Sequence, residues 1–309
     1  MRIFRHYSEI PVEARGAVVA LGNFDGVHLG HQKILRDVLA KARSTHGVAS
    51  VLTFFPHPVS VLRPSEAPAL LQTLDLRLDS FQAVGIDAAL VVRFDPALAA
   101  MSAEGFIEHF LVNTMHANAV LVGENFRFGN KQTGDVRLLR TLGHRWDFET
   151  IIVNPVAIDA TVISSSAIRQ AIREGHVEDA ARMLGRPYSL AGEIRTGTGM
   201  GRKLVVPTLN LHTEQQLLPK NGVYATEVGV AGKFYEAVTN VGVRPTFDGT
   251  RVTIESHLLG FKESLTDSPL EVKFKKRLRE ERKFSGPDEL RRQIFRDIES
   301  AKIFFEEDR

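Results

Sequence analysis

The stretch LGNFDGVHLGHQ, residues 21–32, places His28 and His31 beside Gly22, Gly26 and Gly30. The apolar run AVVALG leads into it, and QKILRDVLAKA follows with apolar residues at helical spacing. Both histidines therefore fall on one face of the first turn of a helix. A helix start presents unpaired N–H groups and the positive end of its dipole, which together seat a phosphate. Two imidazoles at that point can donate hydrogen bonds to charge developing on a phosphoryl centre, and glycines let a nucleotide approach the backbone closely. Such a site suits nucleotidyl transfer, which needs positioning and charge stabilisation more than a covalent nucleophile. Taken alone, an HxxH pair fits core packing or metal ligation equally well, so the elements around it must decide.

Those elements alternate. GAVVALGNF, VASVLTFFPHP, IDAALVVRFD, NAVLVGENF and FETIIVNPV read as strands. Between them, LGHQKILRDVLAKARSTHG, TLDLRLDSFQAVG, SAEGFIEHFLVNTM and DVRLLRTLGHRW read as helices, the first ended by Gly47 and the second by Gly85. Alternation of this kind predicts right-handed βαβ units and a parallel sheet covered on both faces. Ligands in such sheets sit beyond the carboxyl ends of the strands. LGNFDG, FFPHP and GENFRFG each begin where a predicted strand ends, so all three converge on that edge.

The texture changes after SSSAIRQAIREGHVEDAARMLGRPY, with a domain boundary expected near Gly185 to Tyr188. From there to LEVKFKKRL, short alternating runs separated by Gly and Pro predict antiparallel β structure, clearest in GVYATEVGV, KFYEAVTNVG and RVTIESHLLGF. SGPDELRRQIFRDIESAKIFF closes the chain as a helix, with Ser285 and Asp288 fitting an N-terminal cap and Leu290, Ile294, Ile298 and Ala301 on one apolar face. The 309 residues suit two domains. A 43% hydrophobic content is enough for two packed cores, and a net charge of +2 gives no global reason to expect nucleic acid or a membrane as partner. With no cysteine, disulfides, thiolate catalysis and cysteine-ligated zinc are excluded. MRIFRHYSEIP lacks the apolar stretch of a signal peptide, so a cytoplasmic location is expected. The basic run KFKKRLREERK, residues 273–283, is interleaved with Glu280 and Glu281 and reads as a solvated strand-and-loop face.

In the second half, GEIRTGTGMGRKLVVPTLNL is rich in glycine but lacks the Lys-Ser or Lys-Thr ending of a Walker A loop. Strand alternation in RVTIESHLL sets Thr253, Glu255 and His257 on one face, opposite Val252, Ile254 and Leu258. A carboxylate so placed can accept the proton of a hydroxyl that attacks a phosphate.

GNFDGVHLGH resembles the HxGH signature of the nucleotidyltransferase superfamily. TFFPHP, VGENFRFG and ISSSAIR then follow in the order seen in bacterial bifunctional riboflavin kinase/FAD synthetases. GRPYSLAGEI, PTLNL, LPKNGVYA, NVGVRPTF, IESHLL and RLREERKF continue the likeness, which spans essentially the whole chain. The resemblance implies a Rossmann-like domain over residues 1–185 that adenylylates FMN to FAD, releasing pyrophosphate. It implies a small antiparallel β-barrel over 186–309, with a C-terminal helix, that phosphorylates riboflavin to FMN.

The implied site residues follow from the same motifs. Gly22, Phe24, Asp25, His28, Gly30 and His31 cradle ATP and its α-phosphate. Ser164, Ser165 and Ser166 with Arg169 form the triphosphate clamp, and Asn125 lies near the reacting phosphates. Phe54, Phe55, Pro56 and His57 pack on an adenine or flavin plane. In the barrel Gly197, Gly199 and Gly201 form the nucleotide loop, Thr208 and Asn210 hold Mg²⁺ with the ATP phosphates, and Glu255 is the base. Expected partners are riboflavin, FMN and ATP, with no nucleic acid and no membrane; a weak homo-oligomer is left open. The chain departs from the family at Val205 and Val206, where Gly-Phe is usual, at PTLN in place of PTAN, and at KESLTDSP in place of an Asp-Leu-Tyr-Gly segment. These departures leave open an FAD synthetase whose barrel only binds flavin, or a regulatory protein that binds nucleotide or flavin without turnover.

Overall fold

Strand β2 (Ala17–Leu21) is buried along its entire length, as befits a strand covered on both faces. Its alternate residues serve two cores: Val18 and Ala20 pack into one, Ala17, Val19 and Leu21 into the other. In the computed structural model, residues 1–11, 16–195, 208–230, 232–246, 249–261 and 269–308 are described. The chain divides into two compact units, Met1–Ser165 and Ser166–Arg309.

The first unit is a six-stranded parallel sheet. Besides β2 it contains β1 (Arg2–Phe4), β3 (Val48–Phe55), β4 (Ala88–Arg93), β5 (Ala119–Gly123) and β6 (Glu149–Val153), in the order β1-β4-β3-β2-β5-β6. Helices α1 (Leu29–Ser44) and α3 (Leu74–Val84) cover one face through Ile34, Leu35, Val38, Leu74, Leu78 and Phe81. A short α2 (Pro58–Leu62) follows β3, and α4 (Pro96–Ala100) follows β4. The other face is covered by α5 (Ala103–Phe106), its π-helical continuation Ile107–Thr114, and α6 (Val136–Arg145), through Phe106, Phe110, Leu111, Leu139 and Leu142. The chain winds from β2 outward to β4, then crosses back to lay β5 against the other side of β2. That reversal puts the topological switch point between β2 and β5.

Three local features differ from the sequence reading. Strand β1 pairs parallel with β4 through three residues, too few to show a period. The segment expected as one α-helix over 102–115 widens into i→i+5 winding, closed by the Met115 N–H donating to the Phe110 carbonyl at 3.0 Å. The first helix stops at Ser44, and Gly47 donates back to the Ala42 carbonyl at 2.9 Å rather than ending the helix itself. Gly85 does close α3, with φ of 100°.

A two-stranded ribbon, β7 (Ala157–Ile158) with β8 (Thr161–Val162), precedes helices α7 (Ser165–Glu174) and α8 (Val177–Leu184). The second unit is a closed barrel of antiparallel strands, β9 (Tyr188–Arg195), β10 (Leu209–His212), β11 (Gly222–Val230), β12 (Lys233–Thr246), β13 (Gly249–Leu258) and β14 (Pro269–Glu280). Their order is β10-β13-β12-β11-β14-β9, with β9 bonded to β10 to close the ring. Inside, buried hydroxyls form a ladder: Thr226 to Thr239 at 2.6 Å, and Thr239 to Ser256 at 2.8 Å. Each hydroxyl satisfies its neighbour in the dry interior.

The basic run of β14 is more tied down than a solvated face. Lys273 lies 3.6 Å from the centre of the Phe234 ring, Lys275 pairs with Asp308 at 3.1 Å, and Arg277 donates to the Asn221 carbonyl at 2.8 Å. The run is thus largely committed to the chain's own acids, carbonyls and rings. The closing helix α9 (Pro287–Glu307) buries Ile298, Ala301 and Phe305, while Leu290 and Ile294 are half-buried. The expected Ser285–Asp288 cap is replaced: Gly286 is the cap residue, and the Ser285 N–H and hydroxyl both donate to Glu289, one residue later, at 2.9 and 2.8 Å. Two residues into the turn is too near for the side chain at 288 to reach back as 289 does.

Asp297 fixes α9 to β14. Its carboxylate, 5% exposed, receives both Nε and Nη2 of Arg279 at 2.9 and 2.7 Å, and Gln293 Nε2 at 2.8 Å. Asp297→Ala leaves that guanidinium without its planar partner, and Arg279 still touches water, so we expect a loss of about 2 kcal/mol. Thermal unfolding of the full chain should show the barrel transition moved down; an unchanged transition would mean α9 is held by its apolar face alone.

Candidate active sites

The loop leaving β2 at the switch point turns sharply. Phe24, Gly26 and Val27 all have positive φ, at 52°, 86° and 39°. Two of these are not glycine, so the turn carries strain of roughly 1–2 kcal/mol per residue. It is closed by the Val27 N–H donating to the Phe24 carbonyl at 3.1 Å and by Gln32 Nε2 donating to the Val27 carbonyl at 2.9 Å. The turn ends on His28, the N-cap of α1, whose Nδ1 accepts the His31 N–H at 3.3 Å. With Nδ1 accepting, a neutral His28 carries its proton on Nε2. The His28 and His31 rings stack, with centroids 3.6 Å apart and planes 19° from parallel. Gly30 makes room for this: a Cβ there would sit 3.1 Å from His28 Cε1 and 3.2 Å from its Nδ1.

Burial, reinforced by His28 and Arg77, holds the His31 imidazole well below its ordinary value of 6.5, so it is uncharged at neutral pH. The edge of Phe24 packs against it at 5.1 Å. Asp25, 2% exposed, turns its carboxylate inward to accept the Leu71 N–H at 3.1 Å and the Gln72 N–H at 3.3 Å. Its part is therefore to shape the loop from within. Arg77 of α3 is 1% exposed and donates Nη1 to the carbonyls of Asn23 and Phe54 at 2.9 and 3.4 Å. Sequence reading did not single it out, because an arginine in LDLRLD looks like an ordinary helix-surface charge.

The remaining motifs of the first unit lie at the same sheet edge. The hydroxyl of Ser165, the last residue of that unit, donates to the Asp25 carbonyl at 2.9 Å. Ser164 and Ser165 are half-buried, Ser166 is exposed, and Arg169, further along the same helix, is 8% exposed. Asn125 sits exposed in the turn after β5, beside the loop that leaves β2. Phe54 faces the core against Phe94 and Phe106, leaving Phe55, 41% exposed, as the ring displayed by that loop. Pro56 is exposed, and His57 caps α2 by accepting the Val59 N–H at 3.3 Å.

On the barrel, register brings distant residues into one row. Asn210 of β10 pairs with Glu255 of β13, which on its other side pairs with Asn240 of β12. Directly paired residues project to the same face. Their neighbours Leu211, Val241 and Ile254 are buried, so Asn210, Glu255 and Asn240 occupy the outer face, where all three are half-buried. Thr208, half-buried, lies two residues before Asn210, just ahead of β10. Asn240 was not anticipated; only the cross-strand register reveals it. Gly197, Gly199, Gly201, Val205, Val206 and the segment 262–268 lie outside the described residues. Among the described residues no group of three or more His, Asp or Glu forms a metal site, and no helix is long and apolar enough to cross a membrane.

A family model described as FAD synthetase matches residues 10–167, and one described as riboflavin kinase matches residues 184–305. A bifunctional riboflavin kinase/FMN adenylyltransferase of Haemophilus influenzae is 36% identical over 292 residues, covering 94% of this chain and 95% of its own length. Its counterpart in Escherichia coli K12 is 36% identical over 99% of this chain and 97% of its own, and that of Pseudomonas fluorescens 34% identical over 98% and 97%. A crystal structure described as a macrolide-efflux protein from Streptococcus pneumoniae superimposes with a TM-score of 0.88 at 28% identity, covering 97% of this chain and 98% of that one. With both family models placed in order and whole-length relatives above 30% identity, this chain belongs to the bifunctional riboflavin kinase/FMN adenylyltransferase family.

Proposed function

We propose that this enzyme makes both flavin cofactors from riboflavin and ATP, with adenylylation assigned to residues 1–185 and phosphorylation to 186–309. In the first half, a phosphate oxygen of FMN attacks the α-phosphorus of ATP. The α–β anhydride bond breaks, pyrophosphate leaves and FAD forms. The observation that carries this reading is the stacked His28–His31 pair at the amide end of α1, set at the switch point of the sheet. His28 Nε2–H and the Leu29 and Gly30 amides at the start of α1 supply donors for charge growing on the α-phosphate. A neutral His31 imidazole costs less to bury than a charged one, which supports a closed, dry site. Gly22 and Phe24 flank the nucleotide, Asn125 reaches the reacting phosphates, and Ser164, Ser165, Ser166 and Arg169 bind the departing pyrophosphate. Phe55 offers its ring to a flat base or flavin.

In the barrel, the terminal ribityl hydroxyl of riboflavin attacks the γ-phosphorus of ATP, its proton passes to Glu255, and ADP leaves. The pairing of Glu255 between Asn210 and Asn240 supports this, since amides beside the carboxylate can orient it and the hydroxyl it deprotonates. Thr208 and Asn210 offer a hydroxyl and an amide oxygen, donors suited to a hard cation. They are the residues that would hold Mg²⁺, which neutralises phosphate charge in such transfers. Gly197, Gly199 and Gly201 form the nucleotide loop in this reading. A cytoplasmic location accords with it, since all the substrates are small and polar.

Incubating the purified protein with riboflavin, ATP and Mg²⁺ and separating the flavins should give FMN first and then FAD. FAD only when FMN is supplied would mean that the barrel binds flavin without phosphorylating it, and no product at all would overturn the reading. Replacing His28 and His31 together by alanine should abolish adenylylation, because each positioned donor is worth about 3 kcal/mol in such transition states. Riboflavin phosphorylation should persist; FAD forming at near the native rate would make the histidines purely structural. Glu255→Gln keeps shape but removes the base, so phosphorylation should fall roughly 10²- to 10⁴-fold with flavin binding and adenylylation retained. An unchanged kinase rate would send the search for the base elsewhere on the barrel.

A further inference from the structure

Beneath the turn at residues 22–28 lies a set of buried polar atoms that the reaction scheme does not use. Arg77 Nε and Nη2, Asn23 Oδ1, Gln72 Oε1 and His31 Nδ1 are all buried without a hydrogen-bond partner in the protein. Protein interiors rarely leave several such atoms unpaired in one place, and where they do, a functional constraint on geometry is the usual reason. The one firm use of the Arg77 guanidinium is to hold two carbonyls, that of Asn23 from the turn and that of Phe54 from the end of β3. Thr53 reinforces the join by donating its hydroxyl to the same Asn23 carbonyl at 3.2 Å. Both bonds leave one nitrogen, Nη1, of a planar guanidinium that is itself packed in the interior, a geometry that the compact ammonium of a flexible lysine does not reproduce.

We propose that Arg77 is a positioning residue for adenylylation, locking the turn that carries Phe24 and Asp25 against the end of β3 and so fixing where the His28–His31 pair stands. The inference rests on the assignment of that pair to AMP transfer. Three connections support it. Asn23 adjoins Phe24, whose ring edge packs on His31. Asp25 lies close enough to Arg77 for the two charges to interact, so the buried cation has its counter-charge within the same turn. Arg77 also acts electrostatically on His31. The groups facing His31 are His28 from its own helix and Arg77 from α3, with Asp25 set against Arg77. Removing the Arg77 charge therefore deletes one of the influences that keep His31 uncharged, while burial and His28 remain.

Arg77→Met and Arg77→Lys in the full chain test this, with FMN adenylylation followed across pH and riboflavin phosphorylation measured in the same samples. Arg77→Met should lower kcat for adenylylation roughly tenfold to a hundredfold, the scale of a misplaced catalytic group, with a smaller change in KM for ATP. The acid limb of its kcat profile should move to higher pH. Arg77→Lys keeps the charge but not the packed planar group that places Nη1 between the two carbonyls, so kcat should fall to an intermediate value with the acid limb unmoved. Phosphorylation should match the native chain in both. A native kcat in Arg77→Lys, or a loss in Arg77→Met with no movement of the limb, would overturn the inference and leave Arg77 a stabilising residue only. If Arg77→Met does not fold, the kcat of Arg77→Lys decides alone. The His28→Ala/His31→Ala chain separates the two ideas: full adenylylation there removes the parent reading, whereas its loss with native Arg77 variants removes only this one.

Discussion

Everything in the first unit depends on the reversal of strand order between β2 and β5. Helices of successive right-handed crossovers fall on one face until the chain turns back, and on the other face after it. At that one place the loops leaving two neighbouring strands part to opposite faces and open a crevice. Helix α1 begins there, so the positive end of its dipole lies at the switch point whatever residues it carries. The particular residues then refine a site that topology has already made. Gly30 lets His28 lie over the first turn, His31 stacks on it, and the left-handed residues at 24, 26 and 27 bring both into place.

The strain of such a turn has to be held by something rigid. Here the anchors come from α3 and the segment before it: Asp25 binds the amides of Leu71 and Gln72, and Arg77 grips Asn23 and the end of β3. The barrel solves the same problem differently. Its row of Asn210, Glu255 and Asn240 is set by the hydrogen-bonded register of three strands, so no loop needs to be strained to align it. The interior ladder of Thr226, Thr239 and Ser256 lies across β11, β12 and β13, and a slip in register would leave its hydroxyls unpaired in a dry core.

The sequence made some of this legible and hid the rest for identifiable reasons. Strands such as AVVAL announce themselves because both faces are buried and no polar residue interrupts them. The His28–His31 pair was readable from its place at a helix start. His28 nevertheless stands just outside the helix as the extended cap residue, and its bond to the His31 N–H, rather than helical spacing alone, brings the two together. The alternation of Thr253, Glu255 and His257 against a dry face held at Ile254 and Leu258, whereas Val252, expected on that same face, is 38% exposed. Arg77 and Asn240 were not readable. The first is a buried arginine in a helix whose neighbours are charged, and its carbonyl partners lie 54 and 23 residues away. The second acquires meaning only from its register with Glu255. The basic run of β14 misled in the other direction: its cations look solvated in one dimension, and their acidic and aromatic partners come from β11, β12 and Asp308, the residue that caps α9. The π-winding of residues 107–114 left no trace because its apolar residues satisfy an α-helical pattern almost as well.

One chain directs flavin nucleophiles to two different phosphorus atoms of ATP, and labelled ATP reads this directly. With riboflavin as the only flavin supplied, ATP labelled at the α-phosphorus should deliver its label to the AMP half of FAD, with unlabelled pyrophosphate released. ATP labelled at the γ-phosphorus should deliver its label to FMN and to the flavin-side phosphate of FAD. A γ-label that enters FMN while no α-label ever reaches a flavin would contradict the account, leaving the crevice between β2 and β5 without the chemistry assigned to it.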